Sequence, residues 1–123
     1  MANILIIEDN PANLKLMSYL LTRFGHNVES AGNAMEAVSN LDNAIPDLVL
    51  CDIQLPELDG YGVLRIIRNK SSMQQVPVVA VSAFAMPADK EKALAGGFDG
   101  YITKPIDPAT FVPEVETFFR PKS

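Results

Sequence analysis

The sequence predicts an α/β protein in which parallel strands form a doubly wound sheet with helices on both faces. Short runs rich in valine, isoleucine and leucine alternate five times with segments whose apolar residues recur every three or four positions. Most of these runs are apolar without interruption, as expected for strands covered on both faces. With short connections between them, these segments indicate five strands and five helices.

The first half of the chain reads strand, helix, strand, helix, strand. Residues 4–7 form the first strand, and Asn10 and Pro11 then supply a helix cap and the first helical position. This helix ends at Gly25. Its expected buried side chains are Leu14, Met17, Leu20, Leu21 and Phe24. The next elements are a weak edge strand, a short helix and a buried strand, at residues 27–30, 34–41 and 47–51.

The second half continues the alternation after a loop. The loop, helix, strand, helix, strand and final helix are expected at residues 55–60, 61–69, 76–81, 87–95, 100–103 and 107–119. Pro113 falls inside the last helix, where it removes a backbone donor. Two interpretations stay open: the helix bends at Pro113, or residues 107–112 are an irregular lead-in and Pro113 begins the regular helix.

Composition narrows the class of protein. A chain of 123 residues has the usual length of one domain, so we expect a single domain over residues 1–123, with its core at about 3–119 and no effector domain. The net charge of −5 and the absence of a basic cluster argue against nucleic-acid and membrane-surface binding. The single Cys51 and the lack of a long apolar run favour a cytoplasmic protein. We expect a monomer or a weak dimer.

Polar residues stand where four of the predicted strands end. They are Glu8, Asp9, Asp52, Ser82 and Lys104. Because parallel strands end at the same edge of a sheet, these side chains are expected to share one crevice. Carboxylates about 4 Å apart repel by roughly 4 kcal/mol at an effective dielectric constant of 20. Such a cluster either raises the pKa values of its own carboxyl groups or recruits a cation, and oxygen ligands select a hard cation such as Mg²⁺. One histidine and one cysteine do not suggest zinc.

The same residues suit phosphoryl transfer. Asp52 is the natural nucleophile, because carboxylates form aspartyl phosphates. Phosphoryl transfer needs positive charge facing the phosphoryl oxygens, which Lys104 and a cation held by Asp9 and Asp52 would supply. The Ser82 hydroxyl can donate a hydrogen bond to the phosphoryl group.

At this point the chain resembles the receiver domains of two-component response regulators. The matching motifs are Ile-Ile-Glu8-Asp9-Asn, Leu-Cys-Asp52-Ile-Gln-Leu-Pro56 with Asp59-Gly60, Val-Ser82-Ala83, and Tyr101-Ile-Thr-Lys104-Pro105. The resemblance implies a sheet of the flavodoxin-like type with strand order 2-1-3-4-5. It also implies that Asp52 accepts a phosphoryl group from a histidine kinase or a histidine phosphotransfer protein.

The resemblance assigns a metal and a phosphoryl site. Asp9, Asp52 and the backbone carbonyl of Gln54 would bind Mg²⁺, or alternatively Mn²⁺, and Glu8 would act through a metal-bound water. Lys104 would pair with the phosphoryl group, and its bond to Pro105 would be cis.

The resemblance also assigns a switch. Ser82 would move towards the phosphoryl oxygen while Tyr101 swings from exposed to buried, and Gln54 and Phe84 would tune the phosphoryl lifetime. A downstream protein would dock on the face formed by residues 88–119.

The sequence leaves several alternatives open. The Phe84-Ala-Met86 run is similar to the corresponding segment of single-domain regulators of cell-cycle kinases. A chemotaxis-like receiver and a generic relay receiver are the alternatives for this narrower role. A Mg²⁺-dependent aspartyl-phosphate phosphatase is disfavoured, because Gln54 stands where such enzymes have a second aspartate. A pseudo-receiver without phosphorylation is disfavoured by the complete set of acids, hydroxyl and lysine. The remaining residues are expected to be ordinary: His26 on the surface, Cys51 inert in a buried strand and Met86 a flexible cover. Phe119 lies one position away from the stripe of Phe111, Val115 and Phe118, and a role as an exposed contact for a partner stays open.

Overall fold

The computed structural model describes residues 2–55 and 59–119, and within them the expected alternation of strands and helices is present. The strands are β1 Asn3–Ile7, β2 Asn27–Ala31, β3 Leu48–Asp52, β4 Val78–Ser82 and β5 Gly100–Thr103. The helices are α1 Pro11–Arg23, α2 Ala34–Asn43, α3 Gly60–Asn69, α4 Pro87–Ala95 and α5 Phe111–Glu116. A short 3₁₀ turn at Ser71–Met73, which the sequence did not predict, precedes β4.

All strand pairs are parallel, and the strand order is β2-β1-β3-β4-β5. The doubly wound fold and its predicted order are therefore confirmed. Successive residues of each central strand face opposite sides, so Ile4 and Ile6 pack with α1 and α5 while Leu5 and Ile7 pack with α2 and α3. This two-sided burial explains the uninterrupted apolar runs.

Local signals start the helices as expected. The Asn10 side chain accepts a hydrogen bond from the Asn13 amide at 3.0 Å, and Pro11 is the first residue of α1. After the helix, Gly25 adopts a φ of 91°, which favours glycine. Phe24 was expected in the buried stripe and is instead 61 % exposed. The chain leaves the helix at Phe24, so this side chain no longer follows the helical face.

The last helix is shorter than predicted. Asp107 begins a turn in which its side chain accepts from the Ala109 amide, and α5 follows at Phe111. Pro113 is the third residue of α5, in the first turn, where backbone donors have no partner inside the helix. Pro113 therefore neither bends a longer helix nor begins the regular one.

The expected loop at residues 55–60 is described only at its ends, since Pro56, Glu57 and Leu58 lie outside the described residues. Its last part is a helix start, with the Asp59 side chain accepting from the Gly62 amide at 3.0 Å. Throughout the described part of the chain, no helix has both the length and the apolar character needed to cross a bilayer.

Candidate functional site

The strand ends bring the predicted polar residues to one edge of the sheet. Asp52 and Ser82 are the last residues of β3 and β4, one position further into the strands than expected. Glu8 follows β1, and its amide donates to the Ala31 carbonyl of β2 at 2.9 Å. Lys104 follows β5, and its amide donates to the Ser82 carbonyl at 2.8 Å. Backbone pairing thus fixes the position of each of these residues.

Three carboxylates form a cluster at this edge. One oxygen atom from each of Glu8, Asp9 and Asp52 lies within 4.8 Å of the others. Glu8 and Asp52 are 1 % and 4 % exposed, whereas Asp9 is exposed to solvent. The cluster is therefore buried on the protein side and open on the side of Asp9.

Lys104 supplies positive charge to the cluster. Its Nζ atom lies 2.7 Å from Glu8 Oε1 and 3.0 Å from Asp52 Oδ2. The contact with Asp52 is a hydrogen bond, whereas the contact with Glu8 is an ion pair without hydrogen-bond geometry, so Glu8 Oε1 is buried with no hydrogen-bond partner among the described residues. Burial lowers the pKa of Lys104, but the two carboxylates outweigh it and the pKa is raised overall.

The ionised form of Glu8 is destabilised in this arrangement. Burial, and next the neighbouring Asp52 carboxyl group, raise its pKa from 4.5 to about 7, against the opposing effects of Lys104 and the Asn10 amide. That amide donates to Glu8 Oε2 at 3.1 Å. The all-oxygen donor set and the net negative charge of the cluster fit a hard divalent cation better than a soft transition metal.

The Asp52 carboxylate is fixed through both of its oxygens. The Gln54 amide donates to Oδ1 at 2.8 Å, and Lys104 Nζ donates to Oδ2 at 3.0 Å. Cys51, directly before it, is fully buried, and burial followed by the charge of Asp52 raises the pKa of its thiol. The nucleophilic thiolate form is thereby disfavoured, in agreement with its expected inert role.

Ser82 and Tyr101 are connected through the backbone of one residue. The Phe84 amide donates to Ser82 Oγ at 3.1 Å, and the Tyr101 hydroxyl donates to the Phe84 carbonyl oxygen. Ser82 and Tyr101 are buried, whereas the Phe84 side chain is 47 % exposed. The Tyr101 ring is therefore in the inward position in this structure. The bond between Lys104 and Pro105 is cis, as the resemblance implied.

Comparison with known proteins identifies the family. Residues 4–116 match the response regulator receiver domain. The chain belongs to this family. The polar-differentiation response regulator DivK of Brucella anthropi is similar to this receiver, with 36 % identity over 94 % of each chain. Two-component signalling, and a role as a signalling protein, follow for this chain from its family.

Solved structures agree with the fold of this receiver. The receiver domain of a sensor histidine kinase from Pseudomonas aeruginosa PAO1, solved with a magnesium ion coordinated in the active site cleft, has a TM-score of 0.85 and 32 % identity, with 95 % of this chain and 96 % of that chain covered. The chemotaxis response regulator CheY4 of Vibrio cholerae has a TM-score of 0.91 with 97 % and 99 % covered; at 24 % identity it supports the fold alone.

The expectation that His26 lies on the surface was wrong. His26 is 6 % exposed, with Nδ1 accepting from the Ala2 amide at 3.2 Å and Nε2 lying 3.0 Å from Glu116 Oε2. The Phe119 ring packs against the imidazole at a centroid distance of 5.4 Å and is half-buried. These contacts join the start of β1, the α1–β2 turn and the region of α5, which no local sequence pattern reveals. They lie apart from the carboxylate cluster and stabilise the receiver rather than its site.

Proposed function

We propose that this receiver domain accepts a phosphoryl group on Asp52 in a Mg²⁺-dependent reaction and thereby switches protein–protein interactions. One observation carries the proposal. Asp52 is almost fully buried, yet its carboxylate lies among two further acids and a lysine, and both of its oxygens are held by donors. A charged group is costly to bury unless it is paired or used. A carboxylate fixed in this way is oriented for attack on phosphorus.

The acidic residues are proposed to hold the cation. Asp9, Asp52 and the backbone carbonyl of Gln54 would be ligands of Mg²⁺ or Mn²⁺, with Glu8 acting through a metal-bound water. The bound cation would neutralise charge on the phosphoryl oxygens. The Pseudomonas receiver described with a magnesium ion in its cleft supports this assignment.

The chain's own residues then account for transfer. An Asp52 oxygen forms the new P–O bond while the P–N bond to the histidine of the donor protein breaks, and the leaving nitrogen takes up a proton from solvent. Lys104, already 3.0 Å from Asp52 Oδ2, would face the incoming phosphoryl oxygens. The Ser82 hydroxyl would donate to one of these oxygens after exchanging its present bond to the Phe84 amide.

The proposed output surface is the face of residues 88–119, formed by α4, β5 and α5. Of the nine residues of α4, only Ala93 is buried, so this helix is weakly anchored and well suited to move. Met86, which caps α4, and Leu94, within this helix, are 68 % and 43 % exposed. Movement of Ser82 would change the Phe84 peptide and hence the hydrogen bond of Tyr101.

Gln54 and Phe84 are proposed to tune the phosphoryl lifetime.

The donor would be a histidine kinase or histidine phosphotransfer protein, and the receptor a downstream signalling protein, both in the cytoplasm. Similarity to DivK supports a regulator of that type over a chemotaxis-like or generic relay receiver. The phosphatase alternative is not favoured, since the family is a signalling family.

Acetyl phosphate with Mg²⁺, followed by intact mass measurement, tests the proposal. We expect one phosphoryl group on the native chain and none on Asp52→Asn. The matched control Asp89→Asn, which removes a carboxylate from the first turn of α4, keeps the label. Equal labelling of the native chain and Asp52→Asn would exclude Asp52 as the acceptor. Rapid turnover of unrelated phosphomonoesters would support a phosphatase instead.

A further inference from the structure

Gly60 lies in direct contact with the backbone of the candidate acceptor. It is the buried first residue of α3, and its amide donates to the Ile53 carbonyl at 2.8 Å. A β-carbon at this position would lie 2.7 Å from Ile53 Cα and 2.8 Å from the Asp52 carbonyl oxygen. Both distances are well below van der Waals contact. Because both atoms belong to the backbone, no side-chain rotation relieves the overlap.

The contacted segment orients the site. Ile53 is held from one side by its own amide, which donates to the Val81 carbonyl at 3.3 Å, and from the other by Gly60. The next residue, Gln54, donates its amide to Asp52 Oδ1 at 2.8 Å. A displacement of the Ile53 peptide would therefore move both the acceptor carboxylate and the peptide that supplies the proposed metal-ligand carbonyl.

Space, rather than backbone conformation or helix propensity, accounts for a glycine here. The glycines with a positive φ among the described residues are Gly25 and Gly97, so the φ of Gly60 is one that other residues adopt. Glycine is also less favourable than alanine inside a helix, by about 1 kcal/mol. Only the close approach to residues 52 and 53 opposes an alanine at this position.

We propose that Gly60 is a positioning residue for phosphoryl acceptance: by allowing α3 to begin against the acceptor's own backbone, it aligns the Asp52 carboxylate and the Gln54 carbonyl towards the cation. This inference rests on the proposed function. A β-carbon at Gly60 impairs cation binding and phosphoryl transfer through this alignment, although the residue contacts neither the cation nor the phosphoryl group.

The test compares Gly60→Ala with Gly32→Ala. Gly32 lies just before α2, as Gly60 lies at the start of α3, but a β-carbon at Gly32 would meet only Glu36 Oε2, at an ordinary 3.8 Å. Mg²⁺ affinity is measured by titration calorimetry, the rate of labelling by acetyl phosphate by intact mass, and folding by circular dichroism. We expect Gly60→Ala to fold cooperatively but to bind Mg²⁺ about 10- to 100-fold more weakly and to be labelled more slowly, as for displaced ligand-supporting groups. Gly32→Ala should match the native chain in both measurements.

Each outcome is decisive. A folded Gly60→Ala with native Mg²⁺ affinity and labelling rate would overturn the positioning role while leaving the proposed function intact. A native chain that neither binds Mg²⁺ nor accepts label would overturn the proposed function itself. If Gly60→Ala does not fold, Mg²⁺ titration of the ¹⁵N-labelled native protein decides: the Gly60 amide resonance should shift, whereas that of Gly25, in the turn between α1 and β2, should not. An unmoved Gly60 resonance would refute the proposal.

Discussion

Replacement of Glu8 by glutamine should stabilise the metal-free protein above neutral pH. The pKa of Glu8 rises from 4.5 to about 7 on folding. The native state therefore binds more protons than the unfolded state between these values, and stability falls as pH rises through them. Near pH 8, Glu8 is ionised in both the native and the unfolded state. Its buried charge then lowers the unfolding free energy by about 3 kcal/mol, because a pKa difference of one is worth about 1.4 kcal/mol. Glutamine removes this ionisation.

Urea unfolding in the presence of a chelator measures the effect. At pH 8, Glu8→Gln should exceed the native chain in unfolding free energy by up to about 3 kcal/mol, and at pH 5 by less than about 1 kcal/mol. Glu29→Gln, a change at an exposed carboxylate of β2, provides the control and should show no such pH dependence. Saturating Mg²⁺ should reduce the difference at pH 8, because cation binding stabilises the native chain by about 2.7 kcal/mol at one hundred times its Kd.

A pH-independent difference between Glu8→Gln and the native chain would refute this reasoning. So would a Glu8→Gln variant that is less stable than the native chain at pH 8 without metal. Either result would mean that the ion pair with Lys104 outweighs the burial of the Glu8 carboxylate. The same experiment without chelator, at several Mg²⁺ concentrations, measures how much cation binding adds to the unfolding free energy. It thereby separates this contribution from the repulsion within the acid cluster.

Three further predictions concern single side chains. Lys104→Met leaves the buried Glu8 and Asp52 carboxylates without their ion pair. It should therefore lower the unfolding free energy measured with a chelator at pH 8 by about 3 kcal/mol, and it should abolish labelling by acetyl phosphate with Mg²⁺. Unchanged stability in urea would contradict this prediction. Tyr101→Phe removes the hydroxyl that donates to the Phe84 carbonyl, so it should cost about 1 kcal/mol in urea while labelling of Asp52 continues at the native rate; a slowed rate would place Tyr101 in the chemistry. His26→Ala removes two part-buried hydrogen-bonding contacts of a buried ring, so it should lower the unfolding free energy by about 2 kcal/mol without changing labelling. Glu116→Gln, at a half-exposed position, should lower it by less than about 1 kcal/mol, and equal losses in the two variants would contradict the burial argument.

The sequence predicted the features that depend on local pattern. Apolar runs fixed the strands because both faces of a central strand are buried, and Asn10, Pro11 and Gly25 marked the bounds of α1 because capping depends on a few adjacent residues. The meeting of Glu8, Asp9, Asp52, Ser82 and Lys104 at one edge followed from parallel pairing alone.

Features that depend on distant contacts were not predictable. His26 is buried in contact with the Ala2 amide and the Glu116 carboxylate, both of which are remote from it in sequence. No local pattern signals this burial. The inward position of Tyr101 depends on the carbonyl of Phe84, and an amphipathic tyrosine in a strand gives no signal of which state it occupies. Gly60 was visible as part of a motif, but its close approach to Asp52 appears only in three dimensions.

The two roles of Lys104 set a limit on how the switch can work. In this structure its ammonium group offsets the charges of Glu8 and Asp52, and no other lysine or arginine within residues 2–55 and 59–119 forms an ion pair with either acid. The proposed function requires the same group to face phosphoryl oxygens. A divalent cation beside Asp9 would take over the charge of the acids, so cation binding and the release of Lys104 for the phosphoryl group should be coupled. Labelling of the native chain should therefore depend on Mg²⁺ more steeply than labelling of Glu8→Gln, in which Lys104 has only Asp52 to neutralise; equal Mg²⁺ dependence of the two rates would show that Lys104 is free without the cation.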